Sequence, residues 1–312
     1  MRTVFVGAVE GSRVGLDALC AAGLPPALVV TLPPDLAHRH SDYADLAPLA
    51  ARHGIPLHLT RRSDADETCE AIAALAPDLV LVIGWSQLCG PRFRAIPRLG
   101  CIGFHPSALP RLRGRAVIPW TILRGETDGG ATLFWLGEGA DTGDIAAQRL
   151  FPLDPAAETA RSLYDKAVGA LAAMLPDLVS RLASGELPRR PQDDSRATLC
   201  ARRGPEDGRI DWHSPADAVA RLIRAAGPPY PGAFTHLPGG ARIVLTGARL
   251  TPRGGYYIGI PGQVQALEGR GFTVACGDGA CIDVLDWHPA DAGASANPRL
   301  HDMLGRPAGD AR

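Results

Sequence analysis

The sequence predicts an α/β chain in two parts, a mostly parallel sheet with helices on both faces followed by a smaller β domain. Continuous apolar runs such as "ALVVTL" and "DLVLVIGW" alternate with stretches of helical periodicity, the pattern of strands buried on both faces between crossover helices. Beyond a polar, proline-rich stretch near residue 190, short strands follow one another with turns every ~8–12 residues, as in small β-barrels. A length of 312 residues accommodates about two domains at ~150 residues each.

The elements read as follows. "RTVFVGA" is a strand and "GSRVGLDALCAAG" a helix closed by Gly23. "ALVVTL" is the second strand, "DYADLAPLAARHG" a helix ending at Gly54, and "IPLHL" a short strand. "ADETCEAIAALAP" is a helix, and "DLVLVIGW" and "GCIGFH" are buried strands. "AVIPWTILRG" is a helix, "GATLFWL" and "IAAQRLFPL" are strands around the "GEGADTGD" loop, and a long helix runs through "AETARSLYDKAVGALAAMLPDLVSRLASG". This order is Rossmann-like. The first strand-to-helix turn, "GAVEGSRVG", nevertheless spaces Gly7, Gly11 and Gly15 evenly, so it is not GxGxxG; with no P-loop either, a dinucleotide is not expected. The expected boundaries are a first domain over 1–188, a linker over 189–205, an OB-like β-barrel over 206–290 and a flexible tail over 291–312.

Composition excludes several classes. The chain carries 32 basic and 33 acidic side chains, which argues against a strong electrostatic hold on nucleic acid. No apolar run approaches the ~18 residues of a membrane span, and the N-terminus lacks the apolar region of a signal peptide. The seven cysteines, an odd number in scattered positions, read as reduced thiols of a cytoplasmic protein. His38 and His40 flank Arg39 in an expected loop, and no metal site is assigned.

The segment "GCIGFHPSALPRLRGRAVIPW" raises the functional question. In open α/β sheets ligands bind at the carboxyl ends of the strands, and His105 falls at that edge, after "CIGF". Taken alone it reads more readily as a satisfied core histidine than as a catalytic group. The "ADTGD" loop joins two adjacent strands and can swing Asp141 beside it.

The residues His105, Pro106, Ser107, Leu109, Pro110, Arg113 and Gly114, then Pro119, Trp120, Gly130 and Thr132, then Asp141, Gly143 and Ile145, resemble the core of the folate-dependent formyltransferases. That family includes the methionyl-tRNA formyltransferases and the sugar-nucleotide N-formyltransferases. "DGRIDW" with "RLIRAAGPPYPGA" resembles the C-terminal domain of the tRNA enzymes. The likeness covers roughly residues 1–285 and is most specific over 100–145.

The resemblance implies transfer of a formyl group from 10-formyltetrahydrofolate to a primary amine, which requires proton handling and donors for a developing oxyanion. It gives the catalytic roles to His105 and Asp141. The family's usual third member, an Asn two residues before the His, is Gly103 here. Three outcomes stay open: Gln87 or Ser86 donates instead, a backbone N–H or a water fills the role, or the chain is slow or inactive. The folate is expected against Ser86, Leu88 and Cys89 on one side and Gly139, Ala140 and Asp144 on the other, held mainly by backbone groups. Ser107, Arg113 and Arg115 are the expected substrate contacts, a guanidinium fork being suited to phosphate or carboxylate. From Asp211 onward the arginines are matched by a comparable number of acids, with no lysine, which disfavours an RNA acceptor. The preferred acceptor is a small amine, an amino sugar linked to a nucleotide. Methionyl-tRNA, hydrolysis of the formyl donor, and a catalytically impaired folate-binding homologue are the alternatives. A homodimer is compatible with the sequence.

Overall fold

The computed structural model describes residues 1–253, 255–291 and 297–305. The chain divides into two compact units. One comprises Met1–Val117, Asp128–Leu153 and Leu163–Ala201, the other Ile118–Thr127, Asp154–Ser162 and Arg202–Arg312.

The first unit is built from β1 (Thr3–Val6), α1 (Glu10–Ala21), β2 (Leu28–Thr31), α2 (Ala47–Arg52), β3 (Leu57–Leu59), α3 (Asp66–Ala73), β4 (Leu79–Val82), α4 (Pro91–Arg94), β5 (Gly100–His105) and β6 (Arg113–Gly114). After α5 (Val117–Leu123) come β7 (Asp128–Trp135), β8 (Ile145–Pro152), α6 (Ala160–Ala183) and β9 (Leu199–Cys200). Seven strands form one sheet in the order β3-β2-β1-β4-β5-β7-β8. The first five are parallel, and β7 and β8 close the edge antiparallel. Alternate residues of the parallel strands enter two cores. Phe5, Leu81 and Ile102 meet Leu16 and Leu19 of α1 and Leu171 and Leu175 of α6. Val4, Val6, Val80 and Val82 meet Ile72 of α3 and Phe93 of α4. Burial on both faces is what turns these strands into unbroken apolar runs in the sequence.

The chain order reverses between β1 and β4, the place where such sheets open a crevice. There the strand ends nearly touch. A Cβ at Gly7 would lie 2.3 Å from the Ile83 carbonyl oxygen. Ser12 Oγ donates to that carbonyl at 2.6 Å and accepts from the amides of Ala8 and Val9, both at 3.1 Å. The next amides are also taken, Glu10 N by Asp42 O and Gly11 N by Tyr164 Oη. The amides at the start of α1, where a Rossmann fold seats a pyrophosphate, thus carry protein partners.

The helix expected from Asp42 begins only at Ala47. Its Pro48 stands in the first turn and Asp45 Oδ1 accepts from Ala47 N. Residues 42–44 instead run along the β1–α1 connection, with Ala44 N bonded to Ala8 O.

The second unit contains α7 (Ala216–Ala226) and strands β10 (Ala233–His236), β11 (Arg242–Leu250), β12 (Val264–Glu268), β13 (Gly271–Ala275) and β14 (Cys281–Pro289). These strands form an antiparallel sheet ordered β10-β11-β14-β13-β12. Val219, Ala220 and Ile223, at helical spacing on α7, share its core with Trp212, Leu245, Phe272, Val274 and Ile282. The expected tail from 291 lies largely outside the described residues; within it, Val264 N bonds to Asp302 O and Leu304 is buried.

Candidate active site

His105 is the last residue of β5, in register with Thr132 of β7. Its side chain is 5% exposed. The turn that follows is fixed from beneath: Thr132 Oγ1 donates to Ser107 O at 2.6 Å, and Gln148 Nε2 donates to Leu109 O at 2.8 Å. Ser107 Oγ donates to Arg111 O, so this expected substrate contact is buried and serves the turn.

The imidazole Nε2 lies 2.7 Å from the Leu112 carbonyl oxygen. A carbonyl can only accept, so Nε2 carries the hydrogen. The other nitrogen, Nδ1, stands 3.6 Å from Asp141 Oδ2. That distance is too long for a direct hydrogen bond and close enough for a carboxylate to attract a proton placed on Nδ1. Asp141 Oδ2 also accepts from Gly114 N at 2.8 Å, which fixes the carboxylate.

Asp141 arrives because the loop between β7 and β8 lies across the face of β5 that bears residues 103 and 105. Leu136, at its start, covers Gly103, and Asp141 meets His105. Return of the chain requires glycine at 143, where a Cβ would sit 1.7 Å from the Trp135 carbonyl oxygen. Asp144, expected on the folate, contributes its carbonyl to Trp135 N at 2.9 Å.

A Cβ at Gly103 would lie 2.7 Å from Leu136 Cδ2 and 3.0 Å from Phe134 Cζ. Both side chains pack with Leu109 and Ile145. The first atom of a side chain at 103 would therefore meet hydrocarbon. Nor do the expected substitutes reach that position by the bonds they make. Gln87 Nε2 donates to Arg61 O at 2.8 Å while Ser63 N approaches its Oε1 at 3.4 Å, and Ser86 Oγ lies 3.4 Å from His40 Nε2. With Gly90 N bonded to Asp64 Oδ1, Gln87 is a strut between two loops.

Arg113 and Arg115 part company. Arg113 is 8% exposed, and its guanidinium is spent on Gln192 Oε1, at 3.1 and 2.8 Å, and on Asp194 Oδ1, at 2.7 Å. Arg115 is exposed, two residues beyond it. Sequence reasoning missed Gln192, whose Nε2 donates to Asp141 O at 2.8 Å and Gly143 O at 2.7 Å, and Thr198, whose Oγ1 accepts from Leu112 N at 2.8 Å. Both sit in a polar stretch with no periodic or motif signal to mark them.

The loops expected to hold the folate fit a flat heterocycle in their chemistry. Leu88 is 71% exposed, and Gly139 and Ala140 are exposed. Cys89 offers only its backbone, because its side chain packs beside Val82, Phe93 and Cys101 and burial pushes the thiol up to about 12. Among the described residues no group of His, Cys, Asp and Glu is placed to hold a metal ion, and no helix is long and apolar enough to cross a membrane.

Comparison with known proteins shows the family of the chain. Residues 16–179 match the formyl transferase family and residues 203–293 the formyl transferase C-terminal domain. The chain is 35% identical over 284 residues to methionyl-tRNA formyltransferase of Geotalea uraniireducens, covering 90% of this chain and 88% of that one. It is 36% identical over 288 residues to the enzyme of the same name from Symbiobacterium thermophilum, covering 90% and 86%. Among solved structures, an N-formyltransferase from Helicobacter canadensis in complex with folinic acid and dTDP-3-aminofucose aligns with a TM-score of 0.65 at 17% identity, covering 91% of this chain and 98% of that one. HypX from Aquifex aeolicus in complex with tetrahydrofolic acid aligns with a TM-score of 0.64 at 20% identity, covering 91% and 43%. These two share the fold. The chain belongs to the formyl transferase family, as a folate-dependent N-formyltransferase whose formyl donor is 10-formyltetrahydrofolate.

Proposed function

We propose that the acceptor is the primary amine of a small molecule carrying an anionic group, an amino sugar linked to a nucleotide being the class that fits best, and that His105 and Asp141 carry the proton transfer. The observation that supports the catalytic pair is the division of labour on the imidazole. Nε2–H is committed to Leu112 O, so Nδ1 is the nitrogen left to act, and it faces a carboxylate. 10-Formyltetrahydrofolate supplies the formyl carbon. Transfer would join the amine nitrogen to that carbon first, with negative charge developing on the formyl oxygen, and then release folate N10 as the leaving nitrogen. His105 Nδ1 takes the proton the amine sheds and returns it to the leaving nitrogen, while Asp141 holds the imidazolium in between. Arg115 is the side chain left to meet the acceptor's phosphate or carboxylate.

A small acceptor is supported by the arginines of the second unit. Arg221 pairs with Asp217, Arg242 with Glu206 and Arg249 with Asp283, while Arg224 donates to the carbonyls of Pro155 and Glu158. Guanidiniums matched in this way are poorly placed to neutralise RNA phosphates. A second reading, formylation of methionyl-tRNA, is favoured by the full-length relatives at 35% and 36% identity.

Tetrahydrofolate release by the purified chain decides between them. Release dependent on an amino-sugar nucleotide supports the proposal, release dependent on methionyl-tRNA transfers it to the second reading, and release without an amine makes the chain a hydrolase. In the same assay His105→Ala and Asp141→Ala are expected to lose on the order of 10²–10⁴-fold in rate while remaining folded at the assay temperature, with a lowered melting temperature from the orphaned Leu112 carbonyl and Gly114 amide. Near-normal turnover in either variant would remove the catalytic assignment.

A further inference from the structure

Two backbone conformations at the site are ones L side chains rarely adopt. Leu112, whose carbonyl receives His105 Nε2, has φ +58°, and Asp141 has φ +58°. Such conformations are strained and persist only where the surroundings over-determine them. One segment of the chain, residues 190–200, supplies that determination for both.

On the Asp141 side, the Gln192 amide donates to the carbonyls of Asp141 and Gly143, bracketing the loop that carries the carboxylate. The two donors of one planar group fix both carbonyls at once. Gln192 is itself oriented by Arg113, which donates to its Oε1 from Nε and Nη2 and is anchored by Asp194. On the Leu112 side, Thr198 Oγ1 accepts from Leu112 N and Thr198 O accepts from Arg113 N, both at 2.8 Å. β9 then pairs in parallel with β6, Arg113 with Leu199 and Gly114 with Cys200. Gly114 is the residue whose amide holds the Asp141 carboxylate.

We infer that Gln192 and Thr198 are positioning residues for the catalytic pair: Gln192 sets the carboxylate of Asp141, and Thr198 sets the carbonyl that fixes which imidazole nitrogen is free. Neither touches His105 by the bonds described; each acts through a backbone group that does, or through the loop that presents Asp141. The inference rests on the His105–Asp141 reading above. Misplacement of a reacting group by an ångström from a distant substitution costs on the order of 10²-fold in rate, and that is the scale expected here.

The test uses the full chain. Gln192→Glu keeps length and the contact with Arg113 but replaces the donors that bracket the loop with an acceptor. Thr198→Val keeps shape and removes the hydroxyl, and Thr198→Ser restores it. The expected result is a fall in kcat on the order of 10²-fold for Gln192→Glu and Thr198→Val, with KM for the amine little changed, the fold retained at the assay temperature, and recovery in Thr198→Ser. Independently of any substrate, amide exchange at Gly114 reports whether Asp141 still holds that N–H, and it is expected to accelerate in Gln192→Glu. Unchanged Gly114 protection in Gln192→Glu, or a Thr198→Ser variant as slow as Thr198→Val, would overturn the positioning roles. Lost protection with undiminished turnover would overturn the link to catalysis and the His105–Asp141 assignment with it. If Gln192→Glu unfolds, Gln192→Met, which packs without donating, replaces it in both measurements.

Discussion

At the level of single side chains, function at this site follows from which atoms already have partners. Leu112 O occupies one nitrogen of His105 and leaves the other beside Asp141, the arrangement on which the proposed base role rests. Arg113 and Arg115 are alike in sequence, but Arg113 is consumed by Gln192 and Asp194 while Arg115 stays in solvent. Gly103 makes the same point from the other side. Leu136 and Phe134 fill the volume a side chain would need, so Gly103→Asn would crowd the core, costing ~1–3 kcal/mol by overpacking, and bury an amide among hydrocarbon, costing a further ~1–3 kcal/mol. The expected outcome is a lower melting temperature and no gain in formyl transfer; a variant that melts normally and turns over faster would show the role to be merely vacant. The motif made His105 and Asp141 legible in the sequence. It could not reveal that Arg113 and Gln87 are spent on internal bonds, because a residue's partners lie in distant loops that no local pattern encodes.

Secondary-structure elements were legible where they bury an apolar face over several turns or a whole strand; α4, one turn around the buried Phe93, was not. The parallel strands, α1, α6 and α7 all announce themselves by runs or by helical spacing. α2 was read too early because the periodic residues before Ala47 serve the β1–α1 connection, through Asp42 and Ala44, rather than a helix. β6 and β9, at two residues each, are too short to carry any period. The junction of β1, α1 and β4 depends on one hydroxyl. Ser12→Ala would orphan the amides of Ala8 and Val9 and the Ile83 carbonyl together. A loss of about 1–3 kcal/mol is expected, visible as earlier denaturant unfolding and as faster amide exchange at Ala8 and Val9. Unchanged protection there would mean other groups satisfy the turn.

For the molecule as a whole, 32 basic and 33 acidic side chains leave a net charge of −1, and in the second unit Arg221, Arg242 and Arg249 face acids of the same unit. A protein that neutralises 6–10 phosphates loses about 10³–10⁵-fold in affinity between 50 and 200 mM salt. The acceptor KM of this chain is expected to change by less than about tenfold over that range, since a small anion engages one or two guanidiniums; a steep salt dependence measured by initial rates would point to a polynucleotide. The shift in pattern near residue 190 suggested a break after 188, whereas the first compact unit runs on to Ala201 and the second also takes in Ile118–Thr127 and Asp154–Ser162, which no change of composition marks. Composition alone suggests cutting at 188. The bonds from Gln192 and Thr198 tell a molecular biologist otherwise: a fragment stopped at residue 188 would retain His105 and Asp141 but discard the side chains that brace their loops, whereas one extended through Ala201 would keep those bonds.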